Sequence, residues 1–320
     1  MNTARPTRAR VTWILNGQEF PPDHLTTFLD KTGAVWGRAA AEAGFDFRFL
    51  MSSDVDVSID SDGPALHHGD EVLLSSRELY MVDDISAEPG ALAHLDAISR
   101  VIHTSDSLLL NNCMGAPEWL KRDKLAELSL AASIGLPVPR TVAVPPAPHS
   151  RRAMASVRRV IGDGPYIVKM RESGTGFGVL EVKGPEQLES ALDIIRLTPK
   201  GFIVQELVPH LRDVRLAFVQ NELVATLVRT PGAESTVANL ARGGEASSAK
   251  EIDGLVDMAQ TALAVLGAEY LCVDFLVGEQ GAVFGEWATV MADFSSFVEP
   301  DRSRLAAAFF AWAGQRLSSG

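Results

Sequence analysis

"YIVKMRESGTGFGVLEV", residues 166–182, carries a lysine on a β-type run, then a glycine cluster, then a second apolar run. Lys169 closes the first run, and Gly174, Gly176 and Gly178 follow it. Glycine loops beside a lysine usually handle phosphate, and three known types can be held against this one. A P-loop ends in Gly-Lys-Ser/Thr, which "GTGFGV" lacks. A dinucleotide fingerprint, G-x-G-x-x-G, opens a helix, whereas here the spacing is G-x-G-x-G and a β run follows. A kinase glycine loop precedes its lysine strand, and here the lysine comes first. Alone, the stretch reads as readily as a hairpin with a glycine turn, because glycine is the default turn residue. Its order also suits a flap, a two-stranded ribbon whose backbone N–H groups close over phosphates while the lysine neutralises them.

The whole chain bounds that choice. It has 320 residues, 46% of them hydrophobic, enough for two or three cores. A net charge of −12 and a pI near 5.1 speak against nucleic acid as a partner. An anionic substrate would need local arginines to hold it against the overall field. The two cysteines, Cys113 and Cys272, form no disulfide framework and are expected as buried small residues. No segment has the ~20 apolar residues of a membrane span. "MNTARPTRAR" leads into "VTWILNGQEF", too short and too soon polar for a signal peptide, so a cytoplasmic protein without a membrane partner is expected.

Outward from the glycine stretch, periodicity marks the elements. "VTWIL" (11–15) and "FDFRFLM" (45–51) read as strands around a helix over 23–44, and "EVLLSS" (71–76) as a further strand. This β-α-β start predicts a small open α/β domain over residues 1–112. "GAPEWLKRDKLAELSLAASIGLPVPRT" (115–141) reads as a helix with Pro117 in its first turn, stopped by Gly135, Pro137 and Pro139. "GFIVQELV", "VRLAFVQ", "ELVATLVRT", "LCVDFLV" and "AVFGEW" read as strands, and 186–197, 252–267 and the C-terminal "RLAAAFFAWAGQRL" as helices. The expected division is 1–112, then 113–204 with the linker helix and glycine flap, then 205–320. The class is α/β, with α+β character in the central part.

Six of these pieces, in order, resemble the ATP-grasp ligases, with a glutathione-synthetase-like fold, and within them the branch of the ribosomal-protein glutamate ligases and the lysine-biosynthesis ligases. They are "RDKLAELSLAASIGLPVPRT", "IVKMRESGTGFGV", "IVQELV", "DVRLAFVQNELVATLVR", "NLARGG", and the strand pair "CVDFLV" and "VFGEW". The resemblance covers about residues 70 to 290. It implies ATP and Mg²⁺, one ion or two, as cofactors. It also implies an ADP-forming reaction that joins a carboxylate to an amine through an acylphosphate. Lys124 and Lys169 would approach the nucleotide phosphates as point charges. Glu172, Ser173, Gly174, Thr175, Gly176 and Gly178 would form the flap. Gln205, Glu206, Leu207 and Val208 would lie along adenine, with Glu206 as polar anchor, and Asp213 would join the nucleotide site. Asp274 and Glu286 would hold Mg²⁺, a hard cation that shares its oxygens with phosphate. Asp274 is also the one polar residue inside an apolar strand, which argues against idle surface. Arg215, Arg229 and Arg242 would hold the γ-phosphate or a substrate carboxylate, and Arg215, Arg242 and Asn239 are the expected catalytic groups.

The sequence leaves the family pattern at two places. Ala288 stands where the second carboxylate strand normally supplies an Asn to the metal, with Thr289 or Asp293 as candidate replacements. Val237 stands where a basic residue is usual. The expected partners are a small-molecule or peptide carboxylate and an amine, and the resemblance alone raises a homo-oligomer. Two other readings stay open: an ATP-binding module with reduced or no turnover, and a maturase acting on a ribosomal precursor peptide. His67-His68 is expected in a surface loop rather than a zinc site, and "RRAMASVRRV" (151–160) as the solvated face of a helix.

Overall fold

The structure is a computed structural model that describes residues 8–17, 22–74, 77–83, 86, 88–110, 123–146, 148–174, 178–230, 245–247, 253–289 and 294–319. Cys113, Pro117, Thr175, Gly176, Val237, Asn239, Arg242 and Asp293 lie outside the described residues.

The first strands and helices are β1 (Arg10–Leu15), α1 (Pro22–Glu42), β2 (Asp46–Met51), β3 (Asp56–Asp60), β4 (Gly63–His68), β5 (Glu71–Val72), β6 (Glu78–Val82), α2 (Pro89–His103) and β7 (Leu108–Leu109). β2-β1-β6-β7 form a parallel sheet, and β3-β4-β5 a small antiparallel one. Alternation along β1 sends Val11, Trp13 and Leu15 to one face, against α1, and Ile14 to the other, against α2. The run expected as a strand over 71–76 is a strand only at Glu71–Val72, followed by Leu73 and Leu74, the latter at φ 78. His67 and His68 end β4 instead of lying in a loop, and His67 Nε2 sits 2.9 Å from Ser58 Oγ across the ladder. The salt bridges from Arg48 to Glu71 and Glu78, each 2.7 Å, tie the small sheet to the parallel one.

The central elements are α3 (Lys124–Ser133), β8 (Thr141–Ala143), α4 (Ala153–Val160), β9 (Tyr166–Met170), β10 (Val179–Val182), α5 (Pro185–Ile195) and β11 (Phe202–Glu206). β10-β9-β11-β8 is an antiparallel sheet, with β9 and β10 paired on either side of the glycine stretch. One face carries Tyr166, Val168 and Val204 against α4 and α5. Lys169, one residue out of phase with these, points from the opposite face.

β12 (Arg212–Val219), β13 (Glu222–Thr230), β14 (Glu245–Ser247), α6 (Asp253–Leu266), β15 (Tyr270–Gly278), β16 (Gly281–Ala288) and α7 (Asp301–Ser319) complete the chain. The sheet order is β14-β13-β12-β15-β16. Val214, Leu216, Phe218, Leu271, Val273 and Phe275 face α6 and α3. The alternate residues Ala217, Val219, Tyr270 and Cys272 face α7. That second cluster continues into the N-terminal residues. Trp36 of α1 packs against Phe294, Phe309 and Phe310 in edge-on and tilted contacts with ring centroids 5.2, 4.6 and 5.4 Å away. The two ends of the chain therefore share one core, although the sequence divides them by some 200 residues of polar and apolar alternation.

Candidate active site

Three strands set the centre of the site. Arg215 on β12 lies opposite Asp274 on β15, and Asp274 lies opposite Glu286 on β16, so the three side chains stand abreast on the α7 face. A one-residue bulge makes this row possible. Phe275 pairs with Phe284 while Asp274 pairs with Glu286, which leaves Gly285 as the extra residue. The bulge shifts the alternation, so Phe284 and Trp287 both face α3 while Glu286 and Ala288 face the other way. A side chain at 285 would put its Cβ 3.2 Å from the Asp274 carbonyl oxygen, a tight contact that glycine avoids and that would press on the strand pair.

Asp274 is held by two guanidiniums. Arg215 Nε lies 2.6 Å from Oδ1 and Nη2 2.8 Å from Oδ2, a bidentate pair, and Arg229 Nη2 lies 2.8 Å from Oδ2. Burial works against ionisation of Asp274, and the two arginines overcome it and hold the carboxyl below the usual carboxylate range. Glu286 is more open, with its side chain 25% exposed. It lies 3.8 Å from Arg215 and 3.9 Å from Lys124 Nζ.

Lys124 comes from the first turn of α3, and its placement follows from that helix's N-cap. Asp123 accepts from Leu125 N at 3.0 Å, as an N-cap aspartate should, and also receives Arg171 from the end of β9, with Nε at 2.9 Å. Lys124 N donates to the Arg171 carbonyl, and Lys124 Nζ donates to the Ser173 carbonyl. The helix start and the entrance of the glycine flap are thereby stitched together. At the other end of the flap Gly178 has φ +69 and lies so close to Met170 that a Cβ would meet its sulfur at 2.5 Å. Ser173 is buried, while Glu172 and Gly174 are half-buried.

Lys169 faces this group from β9. Burial pushes its ammonium down to about 8, the neighbouring Glu286 pulls the other way, and Lys124 adds to the fall. On the hinge side, Gln205 is buried and donates to Thr141 Oγ1 at 2.9 Å. The Glu206 carboxylate accepts from Arg140 N and Nε, both at 2.7 Å, so its side chain braces the loop before β8. Arg140, unassigned in the sequence, thus reaches both oxygens of the residue expected as the adenine anchor. Asp213 lies 2.9 Å from His210 Nε2 and 4.0 Å from Arg229.

Sequence reasoning missed Asp123, Arg171, Glu127 and His210. Glu127 is buried on α3, three residues after Lys124, and accepts from Trp287 N at 3.3 Å on the edge of β16. A carboxylate at i+3 from a phosphate-directed lysine is a usable signal, since both lie on one helix face. Ala288 is 1% exposed among Cys272, Leu227 and Phe294, and Thr289 is also buried. Among the described residues no cluster of three or more His, Cys, Asp or Glu forms a metal cage.

An antiparallel flap sheet facing a five-stranded sheet across a lysine-lined cleft is the ATP-grasp fold. D-cycloserine synthetase DcsG superposes with a TM-score of 0.69 at 17% identity, covering 96% of this chain and 99% of that one. A structure of the ATP-grasp ligase PsnB complexed with a phosphomimetic variant of a minimal precursor, Mg and ADP gives 0.62 at 16% identity, covering 96% and 99%. The model of the RimK-like ATP-grasp domain matches residues 121–292, more than half of the chain, and the chain belongs to that family. A ribosomal protein bS6–L-glutamate ligase of Salmonella paratyphi B is 32% identical over 167 residues, 52% of this chain and 54% of the relative. The chain thus spans about half the length of the curated relatives it matches. Among the described residues, no helix is long and apolar enough to cross a membrane.

Proposed function

We propose that this chain is an ATP-dependent, ADP-forming ligase that joins a carboxylate to an amine, with an amino acid or a peptide on at least one side. The observation that carries the reading is the convergence of Lys124, Lys169 and the row Arg215–Asp274–Glu286 at the mouth of the β9–β10 flap. Such a site supplies charge neutralisation and positioning, which phosphoryl transfer mainly needs. No serine or cysteine nucleophile is required.

In this reading the polyphosphate lies between the two lysines and the flap backbone from Ser173 to Gly178, with adenine along residues 205–208. Asp213 belongs to the nucleotide side of the cleft. Arg215, together with Asn239 and Arg242 by resemblance, faces the reacting carboxylate and γ-phosphate. The carboxylate oxygen attacks the γ-phosphorus in line, the bond to the β-phosphate oxygen breaks, and ADP leaves. The amine nitrogen then adds to the acyl carbon, loses a proton, and the acyl C–O bond to phosphate breaks.

The carboxylates fit Mg²⁺ on one condition. Both Asp274 oxygens already accept from arginines, so Glu286 is the ligand with room, and Asp274 offers only a remaining lone pair. Mg²⁺ commonly takes one or two carboxylates and completes its shell with phosphate oxygens and water. Glu286 and Asp274 would hold it, and it would neutralise charge developing on the transferred phosphoryl group.

The test is ADP and phosphate release from Mg-ATP across a panel of amino acids and peptides, alone and in pairs. Release that requires both an acid and an amine supports the ligase. Bound ATP without release anywhere in the panel would instead favour a nucleotide-binding module without turnover. The burial of Ala288 in an apolar cluster is the observation on that side.

A further inference from the structure

His210 belongs to none of the motifs and follows the adenine stretch by two residues. Its side chain is 8% exposed. Nδ1 lies 2.9 Å from the Val208 carbonyl oxygen, and Nε2 lies 2.9 Å from Asp213 Oδ1. Nε2 and Oδ1 are both buried, and among the described residues neither has a partner that meets hydrogen-bond geometry, so their 2.9 Å approach is an ion-pair contact and not an aligned hydrogen bond. A carbonyl has no proton to give, and an ionised carboxylate has none either. A ring with hydrogen on both nitrogens, an imidazolium, meets both neighbours at once: it donates from Nδ1 to the Val208 carbonyl and sets its charge beside the Asp213 carboxylate. The segment around it is pinned from three other directions. Leu207 N donates to the Pro165 carbonyl at 3.1 Å and Leu211 N to the Val277 carbonyl at 2.9 Å. Gly278 backs onto the same turn so closely that a Cβ there would lie 2.5 Å from the Pro209 carbonyl oxygen.

We propose that His210 is a positioning residue of the nucleotide hinge, its protonated ring clamping the Val208 carbonyl to the Asp213 carboxylate. This rests on the ligase reading above for what the hinge holds. The clamp fixes the peptide planes beside the adenine edge and joins the hinge to the charged row through Asp213 and Arg229. The groups facing the ring are Asp213 from β12 and Lys169 from β9, with Arg229 of β13 behind Asp213. The contact with Asp213 raises the ring's proton affinity above the ordinary histidine range, burial and Lys169 oppose it, and the Val208 carbonyl adds to the rise. Loss of the proton as pH climbs leaves one nitrogen facing an acceptor as a bare lone pair, and the clamp opens.

Two measurements on the full chain test this. Binding of Mg-ADP is followed by calorimetry from pH 6 to 9 in the wild type and in His210→Ala, and the ring nitrogens are read by NMR of protein labelled with ¹⁵N-histidine. The expected result is both His210 nitrogens protonated at pH 7 and ADP binding about tenfold weaker in the variant at pH 6.5, from the loss of a charge-assisted contact. The gap closes as pH rises, because the wild-type ring loses its proton and the alanine variant has none to lose. A folded variant that binds ADP like the wild type at pH 6.5, or a neutral His210 ring at pH 7, overturns the proposal. If the variant does not fold, the ring nitrogens of the wild type decide. Wild type that binds no ADP sinks the ligase reading and the hinge role together, whereas ADP binding indifferent to His210 sinks the hinge role alone.

Discussion

Lys169→Met should make the protein more stable while it abolishes nucleotide binding. In the folded chain the ammonium's pKa falls from 10.5 to about 8. Every tenfold loss of proton affinity corresponds to about 1.4 kcal/mol between the two protonation states, so the buried charge costs up to about 3 kcal/mol. Lys169 keeps partial exposure as a residue, and water reaching it reduces the expected gain to about 2 kcal/mol. The sign follows from linkage. Below pH 8 the lysine is charged in both folded and unfolded chains, and the full cost applies. Between about 8 and 10.5 the folded lysine sheds its proton before the unfolded one does, and the cost fades. Methionine fills a similar volume and carries no charge. Urea midpoints of wild type and Lys169→Met at pH 6.5 and pH 9.5 read this directly. The variant should lead at 6.5 and lose most of its advantage at 9.5. A variant less stable than wild type at pH 6.5, or an advantage that does not change with pH, would refute the reasoning.

Three further outcomes follow from the same geometry. Ala288→Asn should cost about 2 kcal/mol in urea unfolding without raising the rate of ADP release, since an amide there enters a packed apolar cluster without an assured partner. Arg215→Met should cost about 3 kcal/mol, because it strips a buried carboxylate of its bidentate partner, and adding Asp274→Leu should return much of that loss. Gly285→Ala should weaken Mg-ADP binding measured by calorimetry and cost about 1–2 kcal/mol, because the new Cβ presses on the Asp274 backbone and parts the two carboxylates.

What could be read in the sequence was whatever repeats at a fixed period or breaks it conspicuously. Lys169 stood on a strand because short apolar, β-type runs flank the glycines on each side, and they pair as β9 and β10. Asp274 stood out because it was the single polar residue of an apolar strand. The small β3-β4-β5 sheet was not read as such, because "DVSIDSDGPALHHGDEV" is short, acidic and rich in turn residues, and little besides Val57 and Leu66 marks the face that packs on the core. The Gly285 bulge was hidden for a related reason. An inserted residue shifts every later side chain to the opposite face, and no local propensity marks it. Glu206 and His210 illustrate a third limit. Glu206 takes its role from Arg140, 66 residues away, and His210 from the bend of its own segment, which turns the Val208 carbonyl and Asp213 toward the ring.

On the proposed ligase reading, the charges of the site also bear on which cations would serve a nucleotide. The chain as a whole is acidic, at −12, so an anionic ligand depends on local positive charge that is not already spent. Arg215 and Arg229 are committed to Asp274 at 2.6 to 2.8 Å, and His210 to Asp213. Lys124 and Lys169 are different. Lys124 holds one flap carbonyl and stands 3.9 Å from Glu286, and Lys169 is enclosed strongly enough to bring its pKa to about 8. A polyphosphate entering between them relieves a desolvated charge instead of breaking a bidentate pair. On the proposed ligase reading the arginines fix Asp274, and through it the strand pair carrying Glu286, with Arg215 still facing the reacting groups, while the two lysines hold the polyphosphate. Moving Lys124 moves the flap with it, because its ammonium and its backbone are both bonded to residues 171–173. On that reading phosphate binding and the entrance of the flap would be coupled through one helix turn, with Asp123 and Arg171 as its fixed point.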